Sequence, residues 1–150
     1  MKINMYSDET FKAKLSPQSL VVGNRFNVDI EWVEQFSAAM PVRFYIDVCT
    51  VSSSDGLKSF DILLDGCISD LVQTKRHLSV PANYHSLYAV DHLRFSYKSF
   101  SFVRTTGSYN MQLSCNVGFC LKSDLPNVNG IGGTCGVDTS NCPSDYSRGL

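Results

Sequence analysis

The stretch Tyr109-Asn-Met-Gln-Leu-Ser-Cys-Asn-Val-Gly-Phe119 decides the fold, because an apolar residue stands at every second position. Side chains of a β-strand point alternately to its two faces, so this run predicts a strand with one face on a core and one facing water. The apolar members of the run are Tyr109, Met111, Leu113, Cys115, Val117 and Phe119.

Shorter runs of the same period precede it. In the first of these runs, Phe26 to Trp32, the positions that face water are expected at Asn27, Asp29 and Glu31. Turn signals such as Asp65-Gly66 separate the runs, and this rhythm is typical of an antiparallel β-sandwich rather than of βαβ units. Helical patterns are limited to one or two turns at 34–40 and 82–90. The apolar positions are Phe26, Val28, Ile30 and Trp32; Val42, Phe44, Ile46 and Val48; Phe60, Ile62 and Leu64; and Phe95, Tyr97, Phe100 and Phe102.

Composition excludes several classes of protein. The 150 residues are 43% hydrophobic and 18% charged with a net charge of -1, so no global field attracts nucleic acid. The one basic cluster, Lys75-Arg76-His77, is too small for a nucleic-acid surface. No stretch approaches the roughly 20 apolar residues of a membrane span, and Met1 does not open a signal peptide. We therefore expect a piece of a longer secreted precursor.

The six cysteines favour disulfide bonds over a zinc site. Only Cys115 and Cys120 have knuckle-like spacing, whereas structural zinc sites use such knuckles in pairs. An even number of cysteines permits three disulfides, which indicates an oxidising compartment. Five residues apart in one strand, Cys115 and Cys120 point to opposite faces, so we expect different partners for them. Cys115 shares the presumed core face, and Cys120 lies where the C-terminal tail can reach it.

Nothing in the sequence points to catalysis or to a cofactor. It contains no nucleophile elbow, phosphate-binding loop or metalloprotease motif. His77, His85 and His92 lie in the least regular part of the chain, and surface or loop histidines explain them better than a metal site does. We therefore expect no enzyme activity, no metal and no cofactor.

Three segments resemble the C-terminal subdomain (ZP-C) of the zona pellucida (ZP) module over roughly residues 1–142. The first is the opening strand and acidic-aromatic turn, Met5 to Phe11. The second is Pro41 to Cys49, followed by Asp65-Gly66-Cys67. The third is Arg94 to Phe102, leading to a strand with Cys115 and Cys120.

The resemblance implies an all-β, immunoglobulin-like antiparallel β-sandwich stapled by three disulfides. From Ser123 onward the chain becomes rich in Gly, Asn, Ser and Pro and can supply little core. We therefore expect the sandwich at residues 1–122 and a Gly/Ser/Asn-rich, disulfide-tethered extension of the same domain at residues 123–150. In this family the first and third cysteines pair, which implies Cys49–Cys115. A uromodulin-like pattern then implies Cys67–Cys142 with Cys120–Cys135, and the rival arrangement is Cys67–Cys120 with Cys135–Cys142.

The resemblance also implies a secreted or extracellular structural protein. Family members can be released from a membrane-anchored precursor, and this chain does not contain such an anchor. Its expected role is polymerisation into matrix filaments such as an egg coat, with the N-terminal ZP-N subdomain and other ZP-module proteins as partners. The alternative is a ligand-binding ectodomain of a receptor or co-receptor. We expect an exposed assembly edge beside the first and last long strands, formed by Ile3, Met5, Tyr6, Tyr109, Met111 and Leu113.

Overall fold

The computed structural model describes residues 2–14, 23–32, 42–53, 56–76, 88, 92–100, 111–125, 135–137 and 141–147. These residues form nine strands and a short 3-10 helix, Lys122–Asp124. The predicted helical turns at 34–40 and 82–90 lie outside the described residues, Tyr88 excepted. The strands are β1, Lys2–Tyr6; β2, Arg25–Glu31; β3, Val42–Ser52; β4, Ser59–Leu64; β5, Cys67–Ser69; β6, Lys75–Arg76; β7, His92–Lys98; β8, Gln112–Leu121; and β9, Tyr146–Ser147.

The strands make two antiparallel sheets. Sheet A has the order β1-β2-β7-β6, and sheet B has the order β8-β3-β4-β5-β9. Every pairing between named strands is antiparallel. The fold is the predicted all-β, immunoglobulin-like sandwich, with its core between the sheets.

Both sheets contribute alternate residues to this core. The buried apolar residues include Phe26, Val28, Ile30, Phe95 and Tyr97 from sheet A, and Phe44, Cys49, Val51, Ile62, Leu63 and Ile68 from sheet B. The last long strand supplies one half-buried face, because Met111, Leu113, Cys115 and Val117 pack against the core while the intervening residues are exposed.

The prediction that Asn27 and Asp29 face water is wrong, since both side chains are buried on the outer face of sheet A. β2 lies between β1 and β7, so neighbours on both sides cover its outer positions. The Asn27 amide donates to the Tyr6 carbonyl oxygen, and His92 lies 3.0 Å from the Asp29 carboxylate. These partners offset the cost of burying polar groups.

A bulge in β4 shifts its predicted alternation. The register moves between Cys49 and Thr50, which face Leu63 and Asp61, so Ile62 is the extra residue. As a result Leu63 is buried instead of Leu64. An added residue of this kind is not visible in a period-two pattern.

Candidate assembly edge

The first and last long strands each end a sheet among the described residues. β1 pairs only with β2, and β8 pairs only with β3. The exception on β1 is an isolated bridge between Tyr6 and Lys14, where Ser7 also donates its backbone N–H to the Ala13 carbonyl oxygen. The outer side of β1 is therefore engaged at its C-terminal end.

β1 and β8 lie on the same side of the sandwich. β5 and β6 belong to different sheets, yet a link of only a few residues, Asp70–Thr74, joins them. This link places β5 and β6 on one side, and the strand orders then place β1 and β8 on the other. Trp32, which follows β2, confirms the proximity, because its ring meets the Phe119 ring edge to face at 4.8 Å. We call the side with β1 and β8 the open side and the side with β5, β6 and β9 the closed side.

The open side carries exposed apolar residues. Ile3 is 37% exposed, Phe119 44% and Leu121 50%, and Trp32 is partly buried beside them. Ile3 and Phe119 belong to rows with the buried Ile30 and Phe44, so their side chains share the inner faces of the two sheets. The two sheets therefore leave apolar surface uncovered at this side.

The six residues predicted for the edge have different environments. Ile3 is exposed, whereas Met5, Met111 and Leu113 pack against the core. Tyr6 lies in a row with Asn27 on the outer face of sheet A, where its ring meets the Phe11 ring at 5.6 Å. Tyr109 lies outside the described residues.

Sequence reasoning missed two residues of this edge, Leu121 and Trp32. Leu121 continues the odd-numbered alternation of β8 by one more step beyond Phe119, so that signal was present in the sequence. The alternating pattern predicts a core position for Trp32, and only the packing of one sheet on the other brings its ring against Phe119.

A tight turn follows β1. The Asp8 carboxylate accepts the Thr10 hydroxyl and the backbone N–H of Lys12 and Ala13. The bond from Thr10, and after it the bond from Ala13, lower the pKa of Asp8 below its ordinary value. These bonds favour the charged carboxylate and thus fix the turn that carries Phe11.

A charged group lies on the outer face of sheet A. Asp29 contacts His92 at 3.0 Å and Arg94 at 3.5 Å, and Arg94 also lies over the Phe11 ring, 4.6 Å from its centroid. His92 does not lie in a loop, because it begins β7; its side chain is 36% exposed at the surface and contacts Asp29. His77 and His85 lie outside the described residues.

With Glu31, Asp29 and His92 form a group of side chains that could bind a metal ion, the one group of this kind among the described residues. Single ligand atoms of Asp29, Glu31 and His92 lie within 4.8 Å of one another. The Arg94 cation stands against Asp29 and opposes a second positive charge there. The contacts on Asp29 thus account for this group as an ionic network that joins β2 to β7.

All six cysteines are paired, so none is a thiolate available for zinc. The bonds are Cys49–Cys115, Cys67–Cys142 and Cys120–Cys135, the uromodulin-like arrangement; the rival pairing does not form. Cys49 and Cys115 stand directly opposite each other in β3 and β8, and Cys49 is fully buried.

The described residues that follow β8, here called the extension, reach both edges of sheet B. Cys120 in β8 holds Cys135 near one edge, and Cys67 in β5 holds Cys142 near the other. Between these points Val137 packs with Tyr45, Tyr88 and Leu125 in a small second core. Tyr45 faces away from the main core, in a row with Gly118, so the extension covers the outer face of sheet B.

The end of the extension joins sheet B as β9, which pairs with β5. The Tyr146 hydroxyl donates to the Asp61 carbonyl oxygen at 2.7 Å. Burial, and then the charges of Asp61 and Asp145, raise the pKa of Tyr146. The hydroxyl therefore keeps its proton, and this bond, through the ordinary pH range.

The fold and its edges define a class: a disulfide-stapled β-sandwich in which, among the described residues, β1 and β8 each end a sheet on the same side. Comparison with known families supports and narrows this class, because the family model of the zona pellucida ZP-C domain matches residues 1–129. The chain belongs to the zona pellucida family. No curated protein matches the chain.

Family membership sets the general role. ZP-module proteins are extracellular and structural, and they interact through ZP-module subdomains. The family is one of polymerisation modules rather than of enzymes. Among the described residues, no helix is long and apolar enough to cross a membrane.

Proposed function

We propose that this chain is the C-terminal half of a ZP module that polymerises into extracellular filaments by accepting a strand at its open side. The observation that carries the proposal is the joint position of β1 and β8 as sheet-ending strands over exposed Ile3, Phe119 and Leu121. Unpaired backbone groups along an edge strand pair readily with another chain. The proposed partners are the ZP-N subdomain of the same precursor and other ZP-module proteins.

The edge offers both parts of strand recognition. β8 is ten residues long and gives a long ladder for main-chain hydrogen bonds. Exposed Phe119 and Leu121 alternate along it and offer contacts for every second side chain of an added strand. The incoming segment is therefore expected to be extended, with alternating apolar residues.

The test replaces the apolar residues of this edge. In a precursor that carries the N-terminal half, Phe119→Lys with Leu121→Lys is expected to abolish filaments seen by electron microscopy. Charged residues, Lys above all, protect edge strands from pairing. The variant is expected to lose only the Trp32–Phe119 ring contact, about 0.5–1.5 kcal/mol of stability, because Phe119 and Leu121 are otherwise largely exposed. Its secretion level is therefore expected to stay close to that of the parent.

Leu71→Lys is the matched control, because Leu71 is 63% exposed on the closed side. It makes the same chemical change and is expected to leave filaments intact. Filaments that persist in the double variant would contradict the proposal. A precursor that never polymerises but binds a protein ligand tightly would favour the co-receptor alternative.

We further propose an egg coat as the matrix. The segments Pro41 to Cys49 and Asp65 to Cys67 support this choice by their resemblance to egg-coat members. The test is mass spectrometry of isolated egg coats from the source organism, in which peptides of this chain are expected. Their presence only in another extracellular matrix would contradict the choice.

We also propose the division into a sandwich at 1–122 and an extension at 123–150 of the same domain. The two disulfides that fasten the extension support it, as does the pairing of β9 with β5. Under non-reducing conditions, a cut introduced between Cys120 and Cys135 is expected to leave the two fragments linked by disulfide bonds. Separation of the fragments without reductant would contradict it.

A further inference from the structure

The link between β5 and β6, Asp70–Thr74, is bonded to both sheets on the closed side. Lys98 donates its backbone N–H to the Val72 carbonyl oxygen at 2.8 Å. The Arg25 guanidinium donates to the Gln73 carbonyl oxygen, also at 2.8 Å. The link therefore has partners in β2 and β7 of sheet A, as well as in β5, the sheet B strand from which it departs.

The C-terminal tail is bonded to the same link. Asp70 donates its backbone N–H to the Asp145 carbonyl oxygen at 2.9 Å, and the Ser147 hydroxyl lies 3.1 Å from the Asp70 carboxylate. The Tyr146 hydroxyl reaches the Asp61 carbonyl oxygen in β4. The tail thus contacts β4, β5 and the link at once.

A covalent bond holds the tail in place. Cys142 is bonded to the buried Cys67 in β5, only four residues before β9 begins. A tether this short gives β9 a high effective concentration at the β5 edge. The edge is therefore occupied by the chain itself before another chain can reach it.

The strands of the closed side are also short. β5 has three residues, and β6 and β9 have two each, whereas β8 has ten. Lys75 in β6 is exposed, and Pro143 precedes β9. Very short strands, Lys and Pro are the devices by which proteins protect sheet edges from pairing.

We propose that the tail segment Cys142–Ser147, through its strand β9, occupies the β5 edge and confines strand addition to the open side. Added strands then pair only on the side of β1 and β8. The expected occupant of the open side rests on the proposed function, whereas the closure of the β5 edge rests on the contacts of the tail. The tail lies beyond residues 1–129, which the family model matches.

The test opens the closed side without touching the open one. In Tyr146→Ala/Ser147→Pro the tail loses the hydroxyl bond to Asp61 and a backbone N–H in the strand that faces Ile68. The probe is a second copy of this chain, followed by sedimentation velocity over a range of concentrations. Hydrogen exchange of the Asp70 amide, which donates to the Asp145 carbonyl oxygen, reports whether the tail has left the edge.

We expect the parent chain to form nothing larger than a dimer. The variant is expected to form larger species than the parent at equal concentration, with association-dependent protection of β5 amides. Ser144→Ala, an exposed turn position in the same segment, is expected to behave as the parent. Non-reducing peptide mapping checks that Cys67–Cys142 is intact in each protein.

A variant whose β9 is released but whose size distribution equals that of the parent would overturn the inference. Parent oligomers larger than a dimer with protection at β5 would overturn it as well. Ser147→Pro alone keeps the Tyr146 hydroxyl bond and repeats the comparison if the double variant does not fold. The filament test of the proposed function changes only Phe119 and Leu121, whereas the present test changes only the tail. Failure of the proposed function is therefore distinguishable from failure of this inference.

Discussion

At the scale of single residues, Asp47 in β3 is held beside another carboxylate. Burial raises the pKa of Asp47 above its ordinary value, and the hydrogen bond and charge of Asp65 raise it further. Asp65 is fixed there by the β4–β5 turn, in which Asp65 (φ 48°) and Gly66 (φ 76°) are both left-handed. Asp and Gly are the residues that this kind of hairpin turn prefers.

We predict that Asp47→Asn stabilises the domain at neutral pH. A carboxyl group whose pKa is raised by folding favours the folded state at low pH, and this contribution is lost as pH rises from about 3.8 through the folded pKa. The gain at pH 7 is expected to be below about 1 kcal/mol, because the site is partly solvated. Urea midpoints between about pH 3 and pH 7 measure it.

Two further variants test whether the repulsion between Asp47 and Asp65 is the cause of the pH dependence. Asp65→Asn keeps a residue that tolerates the left-handed turn and removes the same repulsion, so it is expected to stabilise as well. Ser114→Ala, at an exposed position without an ionisable group, is expected to leave the pH profile unchanged. A profile for Asp47→Asn that parallels the parent at every pH would contradict the prediction.

Gly118 in β8 is a residue where any side chain is costly. It stands opposite Tyr45, and a Cβ atom at this position would run into the Tyr45 ring. Gly118→Ala is therefore expected to destabilise by about 1–3 kcal/mol, the usual cost of overpacking. Chemical denaturation of the single and double variants measures it, because Gly118→Ala is expected to cost less when Tyr45→Ala is already present. An equal cost in both backgrounds would contradict the contact.

At the scale of elements, two of the three disulfides act on different parts of the fold. Cys49–Cys115 joins two adjacent strands of sheet B inside the core, 66 residues apart in sequence. Cys120–Cys135 closes a separation of only 15 residues and fastens the extension to β8. The Cys49–Cys115 bond thus stabilises the sandwich itself, and the Cys120–Cys135 bond holds the extension against it.

We predict that removing these two bonds has different consequences. Cys120→Ser/Cys135→Ser is expected to lower stability by about 3 kcal/mol and to loosen the extension while the sandwich stays folded. Cys49→Ser/Cys115→Ser is expected to cost about 4 kcal/mol in chain entropy and more for burying hydroxyls in the core. Thermal midpoints and amide exchange in β3 check both. Equal loss of protection in β3 for the two variants would contradict the assignment.

Elements also show where sequence reasoning reached its limit. The alternation of residues 109–119 predicted an inward face that the structure confirms at Met111, Leu113, Cys115 and Val117, because strand side chains must alternate. The same rule assigned Asn27 and Asp29 to water, and it failed because β2 is an inner strand whose outer face is covered by neighbours. Position in the sheet is a tertiary property and leaves no mark on the period of a strand.

At the scale of the whole molecule, the two sides of the sandwich differ in character. The open side has long strands and exposed Ile3, Phe119 and Leu121. The closed side has short strands, hydrogen bonds to the Asp70–Thr74 link and a disulfide that holds the tail. An assembly domain built this way has a defined polarity, because only one side presents long edges for pairing.

The amino-acid sequence by itself determined the class of fold and the outward and inward parity of Cys115 and Cys120, since strand periodicity is a local consequence of backbone geometry. Its resemblance to the ZP-C family implied Cys49–Cys115 and left two arrangements of the other four cysteines. Only the tertiary structure decided between those arrangements, placed β1 and β8 on the same side, brought Trp32 against Phe119 there, and paired β9 with β5. These are contacts between residues far apart in the chain, and the order of strands within the sheets sets them.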